Sequence, residues 1–113
     1  MHMKIATRKA GNVVVLDLEG KILIGDGCQE LRDAICKSLD DGNNKILLNL
    51  AGVSYMDSTG LGEVIRNYKT VIDKGGKLKL LSLTARIKDL MAMTKLLTVF
   101  EVFDTEQEAL TSY

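Results

Sequence analysis

The chain has 113 residues, 46% of them hydrophobic and 27% charged, and its 15 Lys and Arg residues balance 15 Asp and Glu residues. Length and composition predict a single globular domain over residues 1–113, and they exclude a disordered chain, a collagen-like fibre and a coiled coil. Because the net charge is zero, no global field attracts nucleic acid or an anionic membrane, so we expect a partner that recognises a local site.

The start of the chain and its cysteines suggest a cytoplasmic protein. No apolar run approaches the roughly 20 residues of a membrane-spanning helix, and the N-terminus lacks the apolar core of a secretory signal. We therefore expect no membrane insertion, with Met1, His2 and Met3 forming a tail or a cloning scar. Cys28 and Cys36 are too few for a disulfide scaffold. On one helix they would lie about 12 Å apart, which is too far for a disulfide.

Strand and helix patterns alternate along the chain. β-branched runs predict strands, and apolar residues that recur at spacings of three and four predict amphipathic helices. In chain order, we predict strands at 5–9 and 13–18, a helix at 28–41, a strand at 45–50, a helix at 61–72, a strand at 77–83, a helix at 87–94, a strand at 99–103 and a helix at 105–110. The first two strands form a hairpin, and residues 19–26 form a glycine-rich connection. This order indicates an α/β fold with a mixed, largely parallel sheet of about five strands.

Local sequence signals predict the ends of two helices and the position of one strand in the sheet. Asp26 is predicted to cap the first helix and Gly42 to end it. Thr105 and Glu108 have the spacing of a capping box at the last helix. The strand at 45–50 is apolar at adjacent positions, which indicates a central strand that is covered on both faces.

The second helix carries one apolar stripe. Leu61, Ile65, Tyr68 and Ile72 recur at helical spacing, and we expect all four to face the sheet. A pair of glycines that starts at Gly75 ends this helix.

One segment contains more polar residues and glycines than a helix start needs. Residues 55–62 read Tyr-Met-Asp-Ser-Thr-Gly-Leu-Gly, follow the central strand by a short loop and open the second helix. Ligands and partners of open α/β sheets dock where strands end at their carboxyl side. Capping explains one of Asp57, Ser58 and Thr59 but not all three. Two glycines in a first helical turn cost stability, so they indicate either a partner that approaches closely or tight packing against a strand.

The motif at residues 57–62 resembles the signature of STAS domains, and of bacterial anti-sigma factor antagonists in particular. The similarity extends over essentially the whole chain: residues 13–20 resemble the family's second strand, residues 46–50 its central strand and residues 74–76 a turn. The resemblance implies a single STAS-like domain whose helices pack mainly on one face of a mixed sheet.

The resemblance also implies a phosphorylation-controlled switch of partners in transcription regulation. Ser58 stands at the family's phosphorylation site, and Asp57 is expected to help orient it. The unphosphorylated domain would bind an anti-sigma factor that is also a GHKL-type serine kinase. Phosphorylation would break this complex, and a PP2C-type phosphatase would restore it. The residues implied to bind the partner are Asp57, Ser58, Thr59, Gly60, Leu61 and Gly62.

The segment after Gly20 departs from the family pattern. Partner-switching members often carry an acidic-apolar-acidic stretch there, whereas this chain has Lys21, Ile22, Leu23 and Ile24. An alternative function is therefore a STAS subunit of a transport or stress-sensing complex that is never phosphorylated. The oligomeric state and the identities of the kinase and the sigma factor stay open.

An enzymatic function is a weaker alternative, and we expect no catalytic activity, no cofactor and no metal site. Ser58 as a nucleophile would need a base, and the only histidine is His2. Asp57 as a phosphoacceptor would need several further acids to hold Mg²⁺, and the end of the second strand supplies only Glu19. Met93 is expected to fill the core or, if it is exposed, to extend the contact surface.

Overall fold

The computed structural model describes residues 3–113, except for the side chain of Asp26. The elements, in chain order, are β1 (Lys4–Ala10), β2 (Val13–Ile22), α1 (Asp26–Asp40), β3 (Lys45–Met56), α2 (Ser58–Asp73), β4 (Lys77–Leu81), α3 (Ala85–Met93), a 3₁₀ turn (Leu96–Thr98), β5 (Val102–Phe103) and α4 (Glu106–Thr111). The predicted α/β class and the predicted order of strands and helices are confirmed.

The five strands form one sheet in the order β1-β2-β3-β4-β5. β1 and β2 pair antiparallel, and the other three pairs are parallel. The mixed, largely parallel sheet and the central position of β3 are therefore confirmed. β5 is shorter than predicted, because the 3₁₀ turn holds Val99 and Phe100 through hydrogen bonds from their N–H groups to the carbonyl of Leu96.

β2 and β3 both run further than the sequence patterns indicate. β2 continues to Ile22, which pairs with Met56 at the end of β3, and both side chains are buried. The predicted connection at residues 19–22 and the predicted loop after residue 50 are therefore wrong, because these segments satisfy each other's backbone groups. β4 ends opposite Asn49, so residues 50–56 extend beyond β4 beside β2.

Three of the helices pack on one face of the sheet. The larger core cluster joins this face of the strands to α1, α2 and α3, and its members include Val14, Leu16, Leu31, Ile35, Leu48, Val64, Ile87 and Met91. The smaller cluster lies on the opposite face, where α4 packs Ala109 against Val13, Val15, Leu47 and Leu81. The expectation that helices pack mainly on one face is confirmed.

The helix ends agree with the predictions except at α1. Gly25, in a left-handed conformation with φ 94°, occupies the N-cap position, and Asp26 is the first helical residue. The prediction of Asp26 as the cap is therefore wrong, because only glycine adopts this conformation without strain. Gly42 follows the helix end with φ 88°. At α4, the Thr105 hydroxyl accepts a hydrogen bond from the N–H of Glu108 at 3.3 Å.

The N-terminal tail is shorter than predicted. Met3 is buried in the larger core cluster, so it does not belong to a tail. The rest of the predicted tail lies outside the described residues.

α2 is rotated relative to its predicted orientation. Leu61 is buried, but Ile65 is 37% exposed and Ile72 is 44% exposed, so the prediction that both isoleucines face the sheet is wrong. The buried face of the helix is instead formed by Gly60, Leu61, Glu63, Val64, Asn67 and Val71. Two polar side chains lie on this inner face because Arg32 of α1 pairs with Glu63, and Glu63 in turn accepts hydrogen bonds from Asn67.

Glu63 joins α2 to α1 through a buried carboxylate that is 2% exposed. The Arg32 guanidinium donates to both carboxylate oxygens, at 2.7 and 3.2 Å. Arg66 and Asn67 donate at 2.9 Å each. These hydrogen bonds, chiefly those from Arg32, lower the pKa of the Glu63 carboxyl. The ionised carboxylate therefore fixes the flank of α2 that faces α1.

The rotation of α2 predicts unequal costs for two truncations. Leu61→Ala should lower the free energy of unfolding by about 2–5 kcal/mol, because a buried side chain leaves a cavity. Ile65→Ala should cost less than about 1 kcal/mol, because its side chain already contacts solvent. Urea unfolding of both variants measures this difference, and equal losses would contradict the observed face of α2.

The Glu63 cluster predicts a specific loss of stability in acid. A lowered folded pKa means that ionised Glu63 stabilises the fold above the unfolded pKa of about 4.3, and that this contribution is lost as the pH falls through the lower folded value. Glu63→Gln should cost about 1–3 kcal/mol at pH 7.

The difference between wild type and Glu63→Gln should shrink when urea unfolding is repeated below about pH 4. Glu19→Gln serves as the control, because Glu19 is exposed, and it should match wild type throughout. A difference that does not depend on pH would mean that the Glu63 charge does not stabilise the fold.

Candidate functional site

The predicted motif lies where β3 passes directly into α2. Asp57 alone separates the two elements, and Ser58 is the first residue of the helix. Ser58 and Thr59 are both exposed, at the carboxyl end of the sheet. This geometry places Ser58 at an accessible helix N-terminus, as the sequence indicates.

Asp57 connects the start of α2 to the segment between β2 and α1. One carboxylate oxygen caps the helix by accepting from the N–H of Gly60 at 2.6 Å. The other oxygen accepts from the N–H of Ile24 at 3.2 Å. The Asp57 N–H itself donates to the carbonyl of Ile22 at 3.3 Å. Asp57 thus positions Ser58 through the backbone, with both carboxylate oxygens engaged by N–H groups.

Gly60 is required by the packing of α2 against the end of β2. A Cβ atom at this position would lie far inside van der Waals contact with the carbonyl oxygen of Ile22, and 2.9 Å from the carbonyl carbon. Gly27 in α1 is in a similar situation, since its Cβ would lie 2.6 Å from the carbonyl oxygen of Lys21. Both helices therefore begin against the same two residues of β2, and tight packing explains Gly60.

Gly62 and Leu61 differ in what surrounds them. A Cβ atom at Gly62 would meet nothing within 4 Å, so the described part of the domain does not require a glycine there. Leu61 is buried in the larger core cluster. Of the two motif glycines, only Gly62 therefore remains without a structural explanation.

Two exposed apolar side chains flank the motif, and the sequence pattern did not mark the first of them. Ile24, in the segment held by Asp57, is 73% exposed, and Tyr55, near the end of β3, is 40% exposed. The Arg86 guanidinium lies 5.7 Å from the centre of the Tyr55 ring. The only sequence signal for Ile24 was its position beside glycines in a predicted connection. Met56 is buried in the core.

Three other residues considered from the sequence differ in their exposure and contacts. Met93, the last residue of α3, is 82% exposed. Tyr68 packs edge-on against Phe100, with ring centres 4.8 Å apart. Burial raises the pKa of the Cys28 thiol, which disfavours the reactive thiolate.

The chemistry of the site is that of an exposed hydroxyl at a helix N-terminus. The first turn of α2 carries no acidic side chain, and its N–H groups and dipole favour an anion. Among the described side chains, which exclude that of Asp26, no three His, Cys, Asp or Glu residues come together as a metal site. Within residues 3–113, no helix combines the length and apolar character needed to cross a bilayer.

Known proteins share both the sequence pattern and the fold. Residues 4–109 match the family model of the STAS domain. The anti-sigma F factor antagonist of Paenibacillus polymyxa is 25% identical over 116 residues, which cover 98% of this chain and 95% of that protein. A crystal structure from Thermotoga maritima, described as a candidate anti-sigma factor antagonist, has a TM-score of 0.87 and 25% identity, and the match covers 96% of this chain and 92% of that one.

SpoIIAA of Bacillus has the same fold in two forms. Its unphosphorylated form matches with a TM-score of 0.71 and its phosphorylated form with 0.74, each at 22% identity over 96% of this chain and at least 96% of that one. Since the family model spans nearly all of the sequence and the sheet order and helix placement are as the family resemblance implies, the chain belongs to the STAS domain family.

Proposed function

We propose that this protein is an anti-sigma factor antagonist that switches partners through phosphorylation of Ser58. Unphosphorylated, it binds an anti-sigma factor of the GHKL serine-kinase type. Phosphorylation by that kinase releases the complex, and a PP2C-type phosphatase restores it. The observation that carries the proposal is the exposed hydroxyl of Ser58 at a helix start that Asp57 and Gly60 fix in place. The cytoplasmic location and the absence of catalytic activity stay predictions.

The free domain is suited to accept a phosphate at this position. Phosphorylation adds about −1.5 to −2 charges at neutral pH. The unpaired N–H groups and the dipole at the start of a helix stabilise such an anion. The carboxylate of the preceding residue, Asp57, is held in place by two backbone hydrogen bonds. The modified domain should therefore keep its fold, and the added charge should affect only the binding of a protein that covers Ser58.

A bound partner would respond differently to the same charge. A protein surface pressed over Ser58 would have to bury a dianion or move away, and burying an incompletely paired charge costs several kcal/mol. A 10⁴-fold change in affinity corresponds to only about 5.5 kcal/mol. One phosphate is therefore enough to release a partner.

A STAS subunit that is never phosphorylated is the second candidate function. The segment after Gly20 supports it, because Lys21 and Leu23 stand where acids often occur in partner-switching members. Such a protein would use the same exposed surface around Ser58 as a permanent contact.

Two substitutions of Ser58 distinguish these functions. Ser58→Ala should retain both the fold and partner binding, but abolish phosphorylation. Ser58→Asp should also retain the fold, since a carboxylate suits a helix N-terminus. It should nevertheless weaken partner binding by about tenfold or more, and by less than a phosphate does, because it places one charge in the contact surface.

The measurement is isothermal titration against the anti-sigma factor that wild-type protein retains from a lysate of the source organism, once that factor has been purified. Asn12→Asp is the matched control, because it adds the same charge at the exposed hairpin turn, about 30 Å from the far end of β2. If no anti-sigma factor is retained, or if Ser58→Asp and phosphorylated protein bind as tightly as wild type, the switch is refuted. If Ser58→Ala unfolds the domain, the serine is a structural residue instead.

A further inference from the structure

The face of α2 that carries Ser58 continues down the helix as a strip that contains two isoleucines and the exposed Lys69. Ser58, Ile65 and Ile72 are spaced seven residues apart, and each step of seven turns by only about 20° around an α-helix. Ile65 is 37% exposed and Ile72 is 44% exposed. A protein that approaches Ser58 along the helix therefore meets both isoleucines on the same face.

Gly62 lies on this face as well, one turn below Ser58. Nothing in the described structure would contact a Cβ atom there, yet glycine is costly inside a helix. A glycine that the fold does not require leaves the helix backbone open to close approach from outside. The strip thus begins with a serine and an open stretch of backbone, and it continues with two isoleucines and the exposed Lys69.

The other flank of α2 is already occupied. Glu63 and Asn67 face inward, where Glu63 is paired with Arg32 of α1. The side chains of Val64 and Val71 are fully buried. The described residues already fill the inner face of α2. The exposed strip therefore does not pack against the core that these residues form. Apolar residues aligned on the outer face of a helix are typical of an intermolecular contact.

The lower end of the strip opens into a groove beside the edge of β4. The groove has a volume of about 260 Å³. Its apolar wall includes Ile72 and Val99, the latter 46% exposed, and its polar wall includes Lys77, Lys79 and Glu101. β5 pairs only with Leu80 and Leu81 of β4, which leaves the groove uncovered beside Leu78. Its size suits one side chain of a partner, and the apolar residues Ile72 and Val99 give that side chain an apolar contact.

The dimensions of the strip favour one partner that covers all of it. Ser58 and Ile72 are about 21 Å apart along the helix axis. A standard interface of about 800 Å² per partner is roughly 30 Å across, so a protein whose contact area has Ser58 at one end spans the distance to Ile72 and the groove. Two half-exposed isoleucines and a valine offer far less area than that by themselves, which argues against a second copy of this chain as the occupant.

We propose that the protein that binds over Ser58 also packs apolar side chains along Gly62, Ile65 and Ile72 and into the groove at Val99. This inference rests on the proposed function, because the occupant is the same anti-sigma factor. The phosphorylatable serine then lies at one end of the interface, and the isoleucines of the strip supply affinity that does not depend on charge.

The test is the affinity of the purified anti-sigma factor for strip variants, measured by isothermal titration. Ile65→Asn and Ile72→Asn should each weaken binding at least tenfold while the midpoint of thermal unfolding stays near that of wild type. Cys36→Asn is the matched control, since it places the same side chain at an exposed position of α1, and it should bind normally. Gly62→Ala should raise the unfolding midpoint by about 4 °C and yet weaken binding.

Hydrogen–deuterium exchange of the wild-type complex gives an answer that does not require a variant to fold. Residues 65–72 and 97–101 should gain protection together with residues 58–62. If only residues 58–62 are protected, and the strip variants bind normally while Ser58→Asp does not, the inference is wrong and the proposed function stands. If Ser58→Asp also binds normally, the proposed function itself fails. A wild-type dimer in sedimentation that Ile72→Asn dissociates, with unchanged affinity for the anti-sigma factor, would assign the strip to a second copy and refute the inference.

Discussion

The contact between the end of β2 and the start of α2 determines how this domain presents its surface. The carbonyl of Ile22 lies against the backbone of Gly60, at a distance that no other residue type allows. The same carbonyl accepts the N–H of Asp57, and the Asp57 carboxylate binds Gly60 and Ile24. A strand end, a helix start and a connecting segment are thereby held by one group of hydrogen bonds. Ser58 is the next residue in the chain after Asp57. Its exposed position is therefore determined by the contacts that Asp57 and Gly60 make with the end of β2.

The two flanks of α2 then have different roles. On one flank, the buried Glu63 carboxylate and Arg32 fix the helix to α1, and this pairing keeps a charged residue on the inner face. On the other flank, Ile65 and Ile72 remain exposed in line with Ser58. A modification at the N-terminus of α2 can change binding without a change of fold, because among the described residues no side-chain hydrogen bond to Ser58 exists that a phosphate would break.

The sequence predicted those features that local patterns determine. The β-branched run at the second strand, the adjacent apolar residues of the central strand and the polar residues before the second helix gave the correct element order and an exposed Ser58. The orientation of α2 was missed because Glu63 and Asn67 look like solvent-facing residues, and the Arg32 that makes Glu63 a buried residue lies 31 positions away in the chain.

Two further differences between the sequence-based prediction and the structure also arise from long-range contacts. Gly20 and its neighbours resemble a turn, yet residues 19–22 form the end of β2 because β3 pairs with them. Gly60 could be assigned to close packing only when its neighbour, Ile22, was known. Gly62 is different, since no contact within the described domain explains it, and the proposed partner contact would account for it.

The most direct test of this account is the stability of the domain with phosphoserine incorporated at position 58. If contacts with β2 and α1 hold α2 in place and its N-terminus is exposed to solvent, the phosphate should change the free energy of unfolding by less than about 1 kcal/mol. The purified anti-sigma factor should no longer bind. Urea unfolding of the modified and unmodified protein, side by side, measures this. A loss of about 3 kcal/mol or more would contradict the account, because the phosphate would then act by disrupting the helix start rather than by excluding the partner.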